Sequence, residues 1–335
     1  MLRLVWVCLL LASSLTAAKN LNIYVIDVEG GKSVLFVSPT GESMLFDVGW
    51  PASNTRVAST DRIVEVARAA GLKRIDHLVI SHYDVDHVGD VAKLLAAFPV
   101  GHIYDHGDAP KNPRFAAYSA ARNALPHTAL RVGDKVPLQG VGVEVLTSAG
   151  EWKKTGKGGR NASCDTNKQV EPRATDFEDD QSLGLLITIG KFRMLDLADL
   201  EAHNSHDLVC PNNLLGRVSL YNVNVHGQFK GIAPELLAAI QAPVMIQANG
   251  ARKGADAQTW PVLKAAPGVR DIWQVHTSVN AGPGANPPDD FIANLEPAEG
   301  FRWLHISAEK SGSFTVTNTR NSFRRRYSGS GDTNP

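Results

Sequence analysis

The chain has 335 residues with 34 basic and 34 acidic side chains, so its formal net charge is zero before the 11 histidines are counted. That balance, with 43% hydrophobic and 20% charged residues, excludes intrinsic disorder and argues against a scaffold that coats nucleic acid, which needs a basic excess or stripe. The 29 glycines and 18 prolines exclude long helical bundles and coiled coils, and the length suffices for a sizeable core.

The N-terminus, MLRLVWVCLLLASSLTAAKN, has Arg3, an apolar run over residues 4–12 and small residues up to Ala18. This is the pattern of a secretory signal over residues 1–18. The apolar run is shorter than the roughly 20 residues that cross a bilayer. The mature chain is therefore expected to begin near Lys19, to lack a membrane span and to be secreted or periplasmic. Cys8 would leave with the signal. Cys164 and Cys210 then remain as an expected disulfide in an oxidising compartment.

Strand signals follow at residues 21–28, at 33–37 after the Gly30-Gly31 turn, and at 43–47 after Pro39-Thr40-Gly41. The rhythm then alternates. Asp61 is the expected N-cap of a helix over 62–70 that Gly71 terminates, followed by a buried strand at 77–80. A helix at 91–97, a strand at 102–104 and a helix at 113–124 with proline in its first turn come next. In the second half, strands at 183–189 and 192–197 are joined by Gly190-Lys191. Strands at 220–225, 244–248 and 272–274 alternate with helices at 234–239 and 257–265, and a hairpin of 303–307 and 313–317 closes the pattern. Residues 149–180 and 279–290 read as long loops of the kind that are functional or mobile. Residues 324–335, opening with Arg324-Arg325-Arg326, read as a flexible tail. Nothing divides residues 19–323, which are expected to form one domain of two sheets packed face to face under helices.

The segment Val79-Ile80-Ser81-His82-Tyr83-Asp84-Val85-Asp86-His87 concentrates the chemistry. Four metal-competent side chains, His82, Asp84, Asp86 and His87, follow directly on an apolar strand that can hold them rigid. Imidazoles supply borderline nitrogen donors and carboxylates supply hard, charged oxygens, so together they suit one or two divalent cations. Other candidates are more scattered. Tyr104-Asp105-His106-Gly107-Asp108 follows a strand, which makes His106 and Asp108 candidates for substrate contact or for orienting a ligand. Asn249-Gly250-Ala251-Arg252-Lys253-Gly254 is a glycine-rich turn whose Arg252 and Lys253 can meet an anion. His203 and His206 read as one face of a helix.

His82-x-Asp84-x-Asp86-His87 resembles the metal-binding signature of the metallo-β-lactamase superfamily, whose usual form is His-x-His-x-Asp-His. The form with Asp at the second position is similar to the hydrolase domain of ComEC-type competence proteins and their stand-alone secreted relatives. Further blocks carry the likeness in order. They are Asp27-Val28-Glu29-Gly30-Gly31-Lys32-Ser33, with Glu29 in a glycine's place, then Asp47-Val48-Gly49 and Gln181-Ser182-Leu183. Ala198-Asp199-Leu200-Glu201 and Val225-His226-Gly227 follow.

The resemblance implies an α/β fold, a four-layer αββα sandwich. It implies His82 and Asp84 on one metal, Asp86, His87 and His226 on the other, and Asp199 bridging them. Zinc or manganese is the first choice, with Asp86 and Asp199 at the catalytic heart and a metal-activated hydroxide as nucleophile. Three departures stand out. The family's separate third histidine is missing before Leu183, leaving Glu178, Asp179 and Asp180 as local candidates. Asp84 replaces an imidazole, and Val225 stands where close relatives carry the first of two histidines. The first two harden the site toward manganese, magnesium or iron. The expected substrate is a phosphodiester, with a small ester, lactone or amide as the alternative. A catalytically impaired metal-binding protein on the same fold is the third reading.

Overall fold

The computed structural model describes residues 20–156, 158–165, 178–295 and 301–329. The expected signal at 1–18 and residues 166–177 of the first long loop lie outside them. The chain runs β1 (Leu21–Ile26), β2 (Val34–Val37), β3 (Ser43–Phe46), α1 (Ser59–Ala69), β4 (Ile75–Val79), α2 (Val85–Val88) and α3 (Val91–Ala97). It continues through β5 (Val100–Asp105), α4 (Pro113–Arg122), β6 (His127–Ala129), β7 (Gly142–Ser148), β8 (Glu151–Trp152), β9 (Gly184–Ile189), β10 (Phe192–Asp196) and α5 (Ala202–Asp207). It ends with β11 (Leu220–Asn222), α6 (Pro234–Ile240), β12 (Val244–Gln247), α7 (Thr259–Lys264), β13 (Asp271–His276), β14 (Ile292–Asn294), β15 (Trp303–Ala308), β16 (Phe314–Asn318) and β17 (Arg324–Tyr327).

Period-two alternation sorts the side chains into layers. Leu21, Ile23 and Val25 of β1, Val34 and Phe36 of β2, and Leu185 and Ile187 of β9 all enter one apolar core between the sheets. The alternate residues Leu35, Leu45 and Leu78 face outward and pack against Ile63 and Val66 of α1, Leu94 of α3 and Phe115 of α4. On the other flank, Leu186, Leu195, Tyr221 and Met245 meet Leu236, Leu237 and Ile240 of α6 and Leu263 of α7. Three apolar layers between four structural layers make an αββα sandwich. Each fully buried Leu, Val or Phe contributes about 1.5–3 kcal/mol, which is why the strands tolerate so little polar sequence.

One sheet has the order β17-β16-β15-β1-β2-β3-β4-β5-β6 and the other β14-β13-β12-β11-β10-β9-β7-β8. Strands β3 to β6 and β10 to β14 run parallel within their sheets. Crossover connections therefore return to the same end each time, and the loops that leave the C-terminal ends of these strands gather there.

Several expectations need correction. Residues 324–327 do not begin a tail: they form β17, antiparallel to β16. Tyr327 is buried and stacks on Phe314 at 4.9 Å between ring centroids. Its hydroxyl donates to Asp271 at 2.8 Å. Three exposed arginines mask that anchor in the sequence. Helix α1 begins at Ser59, so Asp61 lies in its first turn and pairs with Lys93 rather than capping. Strand β7, which the pattern reading leaves unassigned, pairs with β9 along Gly142–Ser148. No helix among the described residues is long and apolar enough to cross a membrane.

Cys164 and Cys210 are joined, with Cα atoms 5.9 Å apart and a sequence separation of 46. Closing a loop of that length removes about 4 kcal/mol of denatured-state entropy on the chain-entropy account. Reduction, or the double change Cys164→Ser/Cys210→Ser, is expected to lower the melting temperature by several degrees. An unchanged melting curve under verified reduction would show that the bond contributes nothing to stability.

Candidate metal centre

The site forms where both sheets release their parallel strands. Beyond β4, Ile80 still donates to the Tyr104 carbonyl of β5 at 2.8 Å, so the backbone is held extended as far as Ser81 and His82. The Ser81 carbonyl accepts from Leu183 N at 2.9 Å, tying the two sheets together at this edge. Asp86 and His87 lie on the short helix α2. Asp199 follows β10 and His226 follows β11. Val225 and His226 both have left-handed backbones, φ 51° and 55°. For a β-branched residue such a conformation is strained, and it turns the chain so that His226 faces the cluster. Gly254, at φ +79°, lies so close that a Cβ there would sit 2.2 Å from the His226 carbonyl oxygen.

Asp86, His87, Asp199 and His226 form one buried group of donors, and His82, Asp179 and Asp199 a second, with the donor atoms of each group within 4.8 Å of one another. Asp199 belongs to both. The Nε2 atom of His226 is 3.1 Å from oxygens of both Asp86 and Asp199, and that of His87 is 3.3 and 3.4 Å from the same two carboxylates. His82 Nε2 lies 3.5 Å from Asp179.

The opposite ring nitrogens are already committed. His226 Nδ1 faces the Ala248 carbonyl at 3.1 Å, His87 Nδ1 faces Asp47 at 2.9 Å, and His82 Nδ1 faces the Ser81 hydroxyl at 3.0 Å. Where Nδ1 carries the proton to a carbonyl or carboxylate, Nε2 is an acceptor and points its lone pair at carboxylate oxygens. The Nε2 atoms of all three imidazoles, and Asp199 Oδ1, have no hydrogen-bond partner among the described residues. Buried acceptors at this spacing require a cation or a proton between them. The residues present therefore fit a divalent metal.

The family model of the metallo-β-lactamase superfamily matches residues 26–158. The chain has the metallo-β-lactamase fold. It is similar to the solved metallo-β-lactamase fold protein YhfI from Bacillus subtilis, at 13% identity over 76% of this chain and 96% of that one, with a TM-score of 0.47. It is also similar to CmlA, a diiron β-hydroxylase from Streptomyces venezuelae, at 15% identity over 68% of this chain and 44% of that one, with a TM-score of 0.42. No curated protein matches the sequence.

Within this metallo-β-lactamase fold the electrostatics follow from burial and charge. Burial, with the neighbouring His87 charge, pushes His82 down to about 3, leaving it a neutral donor. Burial opposes ionisation of Asp86 and Asp199; where protons on His87 and His226 stand in for a cation, those two imidazoliums, with Lys253 beside Asp86, hold both carboxylates well below the usual range. Burial and the Asp199 charge push Asp179 up to about 8 despite Lys230.

Three adjacent acids take three directions from one short helical turn, Asp179–Gln181. Asp179 faces His82. Glu178 turns away and accepts from Tyr83 N at 2.7 Å, Asn112 Nδ2 at 2.7 Å and His106 at 3.1 Å. Asp180 pairs with His203 at 3.2 Å. Glu178 and Asp180 are thus not brought to the donors, and Asp179 is. Asp84 is also outside the cluster: its carboxylate is 2.5 Å from Arg114 on α4. His106 is buried behind Glu178 against Tyr83, and Asp108 pairs with Arg122 at 2.9 Å. Arg252 is exposed, whereas its neighbour Lys253 reaches Asp86. His206 pairs with Glu235.

Three groups without an assigned role prove central. Lys32, 2% exposed, lies 3.4 Å from Asp47 of the first sheet and 3.3 Å from Asp196 of the second, over the Phe46 ring. Asp47 accepts from Ser81 N and its hydroxyl, both at 2.7 Å, and holds His87. Lys230 contacts Asp179 and lies 3.1 Å from Glu201. Lys32 and Asp47 sit inside recognisable blocks; no pattern marks Lys230.

Lys32→Met would leave two buried carboxylates without their shared counter-charge, a loss of about 3 kcal/mol or more. Urea denaturation measures it directly. A variant within about 0.5 kcal/mol of wild type, the range of an ordinary surface change, would show that the inter-sheet pairing is not structural.

Proposed function

We propose that the protein is an exported metal-dependent hydrolase that cleaves a phosphodiester, with residues 19–327, β17 included, as its hydrolase domain. One observation carries the metal dependence: three buried Nε2 lone pairs and an Asp199 oxygen converge with no hydrogen-bond partner among the described residues. Two cations are proposed. The group of two imidazoles and two carboxylates suits zinc or manganese, and the group of His82 with Asp179 and Asp199 is harder and favours manganese. When bound, such cations supply an activated water as nucleophile and positive charge for the attacked oxygen.

The chain's own residues prepare that chemistry. Asp199 ties the two donor groups together. Asp47 and the Ala248 carbonyl fix the orientation of His87 and His226, as outer partners of metal ligands commonly do. Val225 is buried and apolar, so position 225 neither binds nor donates a proton.

Charge favours an anionic substrate over a neutral lactone or ester. Three cluster carboxylates, Asp86, Asp179 and Asp199, face two lysines, Lys253 and Lys230. Divalent cations added to that set leave it positive. Beside it lies a cleft of about 900 Å³ whose wall includes the carboxylates Asp108 and Glu178 and the cations Lys111, Arg114 and Arg131. The Asp at position 84 and its resemblance to ComEC-type hydrolase domains point to phosphodiesters in particular. Export is supported by the N-terminal signal pattern and by the disulfide, which persists in oxidising compartments.

The test offers manganese or zinc with bis-p-nitrophenyl phosphate, single-stranded DNA and a lactone panel. Wild type is expected to cleave a phosphodiester in a metal-dependent way, and His82→Ala/Asp86→Ala to lose at least about 100-fold, the scale of a lost electrostatic stabiliser. Equal activity of the two proteins would remove the site from the reaction. Lactone turnover without phosphodiester cleavage would establish the alternative substrate class.

A further inference from the structure

Parallel strands have two ends, and the second is also chemically marked. In the second sheet the metal donors Asp199 and His226 follow the C-terminal ends of β10 and β11. At the opposite end, residues at the start of β10 or just before β11 and β13 enclose a hollow of about 340 Å³. Lys191, Arg193, Arg217 and Arg270 line it, with Ser219 and Tyr327 among the other walls, and among the described residues no carboxylate does.

The side chains of Lys191, Arg217 and Arg270 have no ion-pair or hydrogen-bond partner among the described residues, and all three residues are exposed. Arg193 is half-buried. It donates to the backbone carbonyls of Arg217 at 3.0 Å and Leu215 at 2.5 Å, so its charge is held in place without a carboxylate ion pair. An adjoining hollow of about 460 Å³ shares Arg193 and Arg217, and the one carboxylate lining it among the described residues, Glu144, is already paired with Lys153.

Four like charges around one concavity repel, and low-dielectric walls focus their field. In a chain of zero net charge, nothing in the composition demands that concentration. An anion with several oxygens relieves it, because guanidinium forks match phosphate or sulfate oxygens two at a time and make charge-assisted bonds.

We propose that this hollow is an anion site, separate from the metal centre, for a phosphate or sulfate group bearing at least two negative charges. The group is either a small free anion or part of a longer chain. The site does not depend on the hydrolase reading.

Calorimetric titration of the whole mature protein with inorganic pyrophosphate, and in a second arm with a linear polyphosphate, tests it at low salt. Saturable binding is expected in at least one arm, and the arm that binds tells whether the free group suffices. Arg217→Gln/Arg270→Gln should weaken it at least tenfold. Both positions are exposed, and a matching melting curve checks the fold. Asp199→Ala/His226→Ala, which disables the metal centre, should bind as wild type does. The proposal is overturned if neither anion binds saturably, if the arginine variant binds within twofold of wild type, or if the metal-centre variant abolishes binding.

Discussion

Acceptor atoms packed together out of water set the terms for this molecule. Asp86, Asp179 and Asp199 share a buried space with three imidazole lone pairs, and donors within each group lie inside 4.8 Å. Removing even one carboxylate from water costs several kcal/mol unless it is paired. Much of the surrounding structure offsets that cost or holds the donors in place. Lys253 and Lys230 approach from the rim, Asp47 and Ala248 fix the imidazoles, and Lys32 binds the two sheets together beside them. The strained left-handed backbone at Val225 and His226 is part of the same arrangement, since it directs His226 into the cluster.

The metal centre was legible to the extent that its residues are neighbours in sequence. His82, Asp86 and His87 fall within six positions after an apolar strand, so local spacing alone announces them. Asp199 and His226 are remote, and only the ordered blocks of resemblance placed them at the same edge. The choice among Glu178, Asp179 and Asp180 was beyond sequence, because one short helical turn sends three chemically similar side chains to three different partners. Asp84 shows the reverse: a residue in the right place in the motif, drawn aside by Arg114 from a helix 30 residues on. Lys253 against Arg252 is decided by which side of a tight loop faces inward.

The layered architecture was legible for the same reason that its strands are apolar, since period-two alternation is a local signal. Its failures are also physical. Residues 324–327 carry three arginines on a strand whose single apolar residue, Tyr327, supplies the anchor. Strand β7 has only Val143 and Val145 pointing into the inter-sheet core from a short run that opens on glycine, a weak local signal. The zero net charge holds in sum and says nothing of where the charges lie. One end of the sandwich carries the carboxylates of the cluster with lysines set against them, and the other carries four cations around one hollow, because parallel strands bring distant residues to a common edge.

The central claim, that the buried donors hold divalent metal, is tested most directly by elemental analysis of protein purified without chelator, beside an Asp199→Ala/His226→Ala variant of confirmed fold. Wild type is expected to carry up to two equivalents of manganese or zinc and the variant markedly less, because Asp199 serves both donor groups. A wild type that takes up no metal after reconstitution, or a variant that retains the full complement, would contradict it.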